Sequence, residues 1–174
     1  MALKAGFYIG TLHESPLGEL WVAITRRGLA AIEWAGSEAE FSAYLWRRYR
    51  QPASVEAGRV AHVTGQLQEY LSGARKGFDL SIDWSLMRPF QKQVLEITYA
   101  IPYGQTRTYG DIARELGNPN AARAVGRAQA TNPMPLVIPC HRVIGTDGKL
   151  HGYGGGLGLP TKAWLLQLEG AVLT

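Results

Sequence analysis

The spacing of apolar residues changes once along this chain, and that change limits the folds open to it. In the first third the pattern alternates: Phe7-Tyr8-Ile9-Gly10-Thr11-Leu12, Gly18-Glu19-Leu20-Trp21-Val22-Ala23-Ile24 and Leu29-Ala30-Ala31-Ile32-Glu33-Trp34. The turn residues Ser15-Pro16-Leu17-Gly18 and Arg26-Arg27-Gly28 separate these runs. A period of two punctuated by turns predicts a small antiparallel sheet. The spacing then lengthens. Ser37-Glu38-Ala39-Glu40 reads as a capped start for a helix to about Arg50, and Val60, Val63, Leu67, Tyr70 and Leu71 mark a second helix closing at Ser72-Gly73. Two helices are expected to cover the sheet. Residues 73–88 read as an extended connector, and the domain boundary is set near Leu86.

Beyond Pro89 the periodicity is helical and broken by Gly and Pro. Phe90, Val94, Ile97 and Ile101 mark a helix ending before Pro102-Tyr103-Gly104. Thr108, with Asp111 three residues on, resembles a capping box opening a short helix from Tyr109 to Leu116; Gly117-Asn118-Pro119 stops it, and Asn120 is expected to cap a helix from Ala121 to about Thr131. Helix, tight turn, helix is the outline of a helix-turn-helix. Leu136-Val137-Ile138 reads as a buried extended stretch, followed by a glycine-rich loop from Gly145 to Gly158 and a last helix from Thr161 to Glu169. The expected fold class is therefore α+β. Residues 1–86 form a structural domain with a small sheet and covering helices, and residues 87–174 a mainly helical domain that carries the functional groups.

Composition narrows the function classes. Hydrophobic residues make up 46% and charged residues 18%, ordinary for a globular protein, and no apolar run approaches the ~20 residues of a membrane helix. Met1 to Gly6 lead directly into strand-like sequence without an apolar export segment, so the expected location is cytoplasmic, nucleoid-associated in a bacterium or archaeon. The end at Gly170-Ala171-Val172-Leu173-Thr174 is read as that of a complete, free-standing monomer with no obligatory protein partner. Charge is uneven: residues 1–87 hold nine Lys/Arg against nine Asp/Glu, and residues 88–174 nine against five, so the whole excess of +4 lies in the second half. That half is the one suited to polyanions.

The single cysteine, Cys140, excludes an intramolecular disulfide and a cysteine-rich zinc site, leaving inert core or chemistry. A thiol attacks as thiolate, so it needs a base or positive surroundings. His141 is adjacent, but neighbours in a strand face opposite ways, which favours a bridging water or a turn over direct contact. An acid orienting the imidazole would complete a relay; the candidates are Glu96, Asp111, Glu115, Asp147 and Glu169. Glu169, at a helix end where the dipole disfavours negative charge, wants a partner. The segment Ala121-Ala122-Arg123-Ala124-Val125-Gly126-Arg127 offers little to read base edges in a major groove. Small side chains and two arginines suit the minor groove, or equally a close-packed helix interface with solvated arginines.

The run Ile138-Pro139-Cys140-His141-Arg142-Val143 resembles the active-site signature of the O6-alkylguanine-DNA alkyltransferases. Gly104 through Thr108-Tyr109, Gly117-Asn118-Pro119, Ala121 through Gly126, Asn132-Pro133, Gly152 through Leu157 and Trp164 through Gly170 fall in that family's order. The resemblance covers Pro89 to Ala171, and Ser15-Pro16-Leu17-Gly18 is similar to the family's hairpin. It implies single-turnover repair of double-stranded DNA containing O6-alkylguanine, with O4-alkylthymine as a further candidate, after base flipping. No cofactor or membrane is implied. Cys140 would be the acceptor, His141 the water-bridged base, Glu169 its orienting acid and Asn132 the brace of the surrounding turns. Arg123 would fill the space left by the flipped nucleotide, with Ala121, Ala122, Gly126 and Arg127 on the DNA-binding helix. Tyr109 would crowd a phosphate and pass a proton to the guanine. Met134, Pro135, Val143, Tyr153 and Gly154 would wall the pocket, with carbonyls of Cys140 and Val143 facing the guanine amine. Gly154 stands where some members carry Ser, and Gly158-Leu159-Pro160-Thr161 is slightly long, which suggests a loop accepting larger alkyl groups. Some members bind zinc in the N-terminal half; with only His13 and His62 there, no metal site is expected. Three other classes stay open: a lesion-recognition protein of the alkyltransferase-like kind, a helix-turn-helix regulator sensing through its thiol, and a Cys-His hydrolase.

Overall fold

The computed structural model describes residues 6–171; the readings made on Met1–Ala5 and Val172–Thr174 lie outside the described residues. The chain divides into two compact units, Met1–Leu86 and Met87–Thr174.

In the first unit, strands β1 (Phe7–Leu12), β2 (Leu20–Thr25) and β3 (Gly28–Glu33) pair antiparallel in sequence order. A fourth strand, β4 (Ala53–Val55), joins the free edge of β1 in parallel, giving the order β3-β2-β1-β4. The sheet is therefore mixed, not antiparallel throughout. Three residues carry too little periodicity to announce a strand. Helix α1 (Glu38–Tyr49) starts where the Ser37 side chain accepts from the Glu40 N–H and ends at Arg50 in the left-handed region. Alternation along β1 sends its side chains to both faces. Phe7 and Ile9 pack with Phe41 and Leu45 of α1, while Gly10 meets α2 (Ala57–Leu71). A Cβ at Gly10 would lie 2.3 Å from a Val60 methyl, so only glycine lets that helix sit so close. The segment after α2 does not behave as an extended connector. The Leu29 N–H donates to Ser81 O at 2.8 Å and the Asp83 N–H to Leu29 O at 2.8 Å, tying this stretch along β3. Asp83, buried, accepts from Thr25 Oγ1 at 2.6 Å.

The second unit is built on α3 (Pro89–Tyr99), α4 (Tyr109–Glu115), α5 (Ala122–Ala130) and α6 (Leu159–Leu168). Val94, Ile112, Val125 and Ala128 share its core with Ala121 and Val143. The capping box at the start of α4 is complete: Thr108 Oγ1 accepts from Asp111 N at 3.0 Å, and Asp111 Oδ2 accepts from Thr108 N at 2.8 Å. Gly117, at φ +76°, makes the turn. Asn120 does not cap α5; it lies inside a 3-10 turn, Pro119–Ala121, that leads into the helix. Short strands β5 (Arg107–Thr108) and β6 (Val143–Ile144) pair in parallel. Leu136–Ile138 is buried but folded into a turn and not extended; the Ile138 N–H reaches Met134 O at 2.9 Å and Leu136 takes φ +75°. No helix among the described residues is long and apolar enough to cross a membrane.

Candidate functional site

Cys140, His141 and Arg142 form one 3-10 turn after Pro139. A 3-10 turn aims successive side chains about 120° apart, unlike a strand. The thiol lines a cavity of about 770 Å³, while His141 and Arg142 both reach Glu169. Approach to the turn is fixed by Asn132, whose Nδ2 donates to Ile138 O at 2.9 Å and whose Oδ1 accepts from Met134 N at 3.0 Å. It therefore clamps both sides of Leu136, where a left-handed backbone costs a non-glycine residue about 1–2 kcal/mol.

Glu169 closes α6 and is fully enclosed at its side chain. Oε1 lies 2.8 Å from His141 Nε2 and 2.8 Å from Arg142 Nη2; Oε2 accepts from Arg142 Nε at 2.9 Å and from Gly104 N at 3.2 Å. An ionised carboxylate only accepts, so the imidazole proton sits on Nε2 and Nδ1 is the basic nitrogen. Burial above all pushes His141 below the ordinary histidine value despite Glu169. Burial likewise pushes the Cys140 thiol up, against an Asn132 side-chain hydrogen bond and the charge of Lys162. The resting pair is therefore thiol and neutral imidazole.

Tyr109 opens α4 and lines the cavity; its hydroxyl donates to His151 O at 3.0 Å. Lys162 is fully buried, donates to Val143 O at 2.6 Å and His151 O at 3.0 Å, and lies 3.5 Å from the Tyr109 hydroxyl. Burial pulls its ammonium down to about 8, opposed by Cys140.

Of the residues read from the sequence, Cys140, Tyr109, Ala122, Arg123, Gly126, Tyr153 and Gly154 share the cavity wall. Met134, Pro135 and Val143 are buried and do not line it. Ala121 packs into the core beside Val125, and Arg127 is exposed on α5. The two readings of that helix thus divide it by face: one side is a small-residue packing surface, the other an open wall carrying Arg123. Sequence reasoning missed Arg142, Lys162, Gln129 and His151, and it weighed Asp147 only as a relay acid, whereas Asp147 lines the cavity and pairs with His151 while Glu169 takes the place beside His141. Only Arg142, beside the thiol in the sequence, carried a local signal.

Fold and site define a class: a cysteine-dependent group-transfer protein on a helix-turn-helix scaffold. Two family models match, 6-O-methylguanine DNA methyltransferase, ribonuclease-like domain, over residues 7–84, and the DNA binding domain of the same name over residues 89–171. A methylated-DNA–protein-cysteine methyltransferase of Methanosarcina acetivorans is 39% identical over 92% of this chain and 97% of its own length. One from Salmonella typhimurium is 40% identical over 91% and 94%. The crystal structure of Mycobacterium tuberculosis OGT in complex with DNA superposes with a TM-score of 0.78 at 37% identity, covering 94% of this chain and 92% of that one. The chain belongs to the 6-O-methylguanine DNA methyltransferase family.

Proposed function

We propose that this chain repairs double-stranded DNA by direct reversal, moving the alkyl group from O6 of an alkylated guanine onto Sγ of Cys140, once and irreversibly. The observation that carries the reading is the placement of the only cysteine: on the wall of a cavity shared with Arg123 of the helix-turn-helix, with His141 of its own turn buried against Glu169 at the end of α6. The relatives' name and the solved complex with DNA support DNA as partner.

The chemistry follows from protonation states. The thiol is neutral at rest, so its proton goes to His141, through a bridging water, as sulfur approaches the alkyl carbon. The S–C bond forms as the C–O bond breaks, and the bonding pair leaves with the guanine. Tyr109 supplies a proton to the ring, so the purine departs neutral, and the thiol's proton balances it. The product is an uncharged thioether, a poor leaving group, which makes Cys140 the terminal acceptor. Small residues on α5 let the backbone enter the minor groove, and Arg123 occupies the space of the extruded base, whose flipping costs a few kcal/mol and least when it is mispaired. O4-alkylthymine offers the same alkyl–oxygen bond and is the second substrate to test. The N-terminal unit is structural, and the site of action is the cell interior, where the DNA lies.

Arg123→Ala provides the test at the DNA side. It is expected to weaken binding of a lesion duplex and slow transfer at least tenfold, while free O6-methylguanine base reacts at the wild-type rate. Equal slowing with both substrates would contradict the role given to α5.

A further inference from the structure

Arg142 belongs to the same turn as the nucleophile, is 7% exposed, and does not line the cavity that the thiol faces. Its guanidinium grips both oxygens of Glu169, at 2.9 and 2.8 Å, and donates through Nη1 to Ile101 O at 2.5 Å, with the Tyr103 ring 5.8 Å from its centre. Such a two-pronged pair fixes a carboxylate in orientation as well as charge.

The consequence falls on His141. A buried carboxylate facing an imidazole alone draws a second proton onto the ring, and the resulting imidazolium cannot receive one from a thiol. The charged and titratable groups around His141 are Glu169 and Lys162 from α6 and its end, and Arg142 and Cys140 from its own turn. Arg142 already engages both oxygens of that one carboxylate, and Lys162, seated on the Val143 and His151 carbonyls, is a further cation felt at the ring. A positive charge on the ring is thus disfavoured at rest, and it is taken on only in transfer, as Tyr109 gives up its proton to the purine. We propose that Arg142 is a positioning residue for alkyl transfer: by occupying Glu169 it holds His141 uncharged, with its proton on Nε2 and Nδ1 ready to accept. The proposal rests on Cys140 being the acceptor. Burial, Arg142 and Lys162 all act in the same direction on the ring, and only Glu169 against them.

The test is the rate of mass gain at Cys140 with an O6-methylguanine duplex, from about pH 5 to about pH 9, for wild type, Arg142→Gln and Arg142→Lys, beside nitrogen NMR of His141 in the wild-type chain. In Arg142→Gln the acid limb should move up by about one pH unit, so that the rate falls about fivefold at the wild-type midpoint and about tenfold well below it. Arg142→Lys, which keeps the charge without the fork, should return the limb partway. The wild-type ring should be neutral near neutral pH with the proton on Nε2. A rate lowered equally at every pH with the limb unmoved, or a cationic wild-type ring, would overturn the proposal. If Arg142→Gln does not fold, the lysine variant and the wild-type tautomer decide. No mass gain in wild type would sink the functional reading instead, and the tautomer would still be judged by itself.

Discussion

At the scale of single residues, the site runs on burial more than on charge pairing. Enclosure raises Cys140 and lowers His141 and Lys162, so each tends to its neutral form and a proton can be passed with little reorganisation. Lys162 gives a measurable sign. Its ammonium leaves at about 8, well below the ordinary 10.5. As pH rises through that value the donors to Val143 O and His151 O weaken, and with them the seat of the Tyr109 hydroxyl. Transfer should therefore slow above about pH 8. The folded chain binds fewer protons at Lys162 than the unfolded one between about 8 and 10.5, so the group's own contribution to stability rises over that window. Stopped-flow rates and thermal melts over the same range check both halves. A rate that keeps climbing with thiolate fraction to about pH 10 would contradict the assignment.

At the scale of elements, the active turn depends on how its neighbours begin and end. Tyr109 is the first residue of α4, and the reciprocal hydrogen bonds of Thr108 and Asp111 hold it there. Thr108→Ala should cost about 1 kcal/mol of stability, read by chemical denaturation, and should slow transfer through Tyr109; unchanged stability would mean the cap is idle. This box was legible in the sequence because its signature is local, as were the strand alternation of β1 to β3 and the Ser37 cap. What escaped was non-local. β4 is strand only because β1 offers it a free edge, Asn120 lost its capping role to a 3-10 lead-in, and Leu136–Ile138 folds into a turn because Asn132, four residues before Leu136, supplies the hydrogen bonds. Cys140, His141 and Glu169 were found by motif and by a helix-end argument. Lys162 was not, since nothing in its neighbourhood along the chain says that an ammonium there is buried against two carbonyls.

At the scale of the whole molecule, the charge excess, the open wall of α5 and the lone thiol all fall in the unit Met87–Thr174. Reaction there should be felt by the fold. Cys140 is 7% exposed within the turn that Asn132 clamps, so a methyl group on sulfur adds volume against that turn at the cavity wall. The alkylated protein should be about 1–3 kcal/mol less stable than the free one, seen as a lower melting temperature in calorimetry; coincident melts would contradict it. The central claim, that Cys140 is a terminal acceptor, is tested most directly by intact-protein mass after incubation with a large excess of duplex carrying O6-methylguanine, beside Cys140→Ala. The account predicts that every chain gains one methylene equivalent and stops, with one lesion repaired per chain and no change in the variant. Unchanged mass with continued lesion loss would make this a turning-over hydrolase, and unchanged mass with tight binding and no repair a recognition protein; either result contradicts the account.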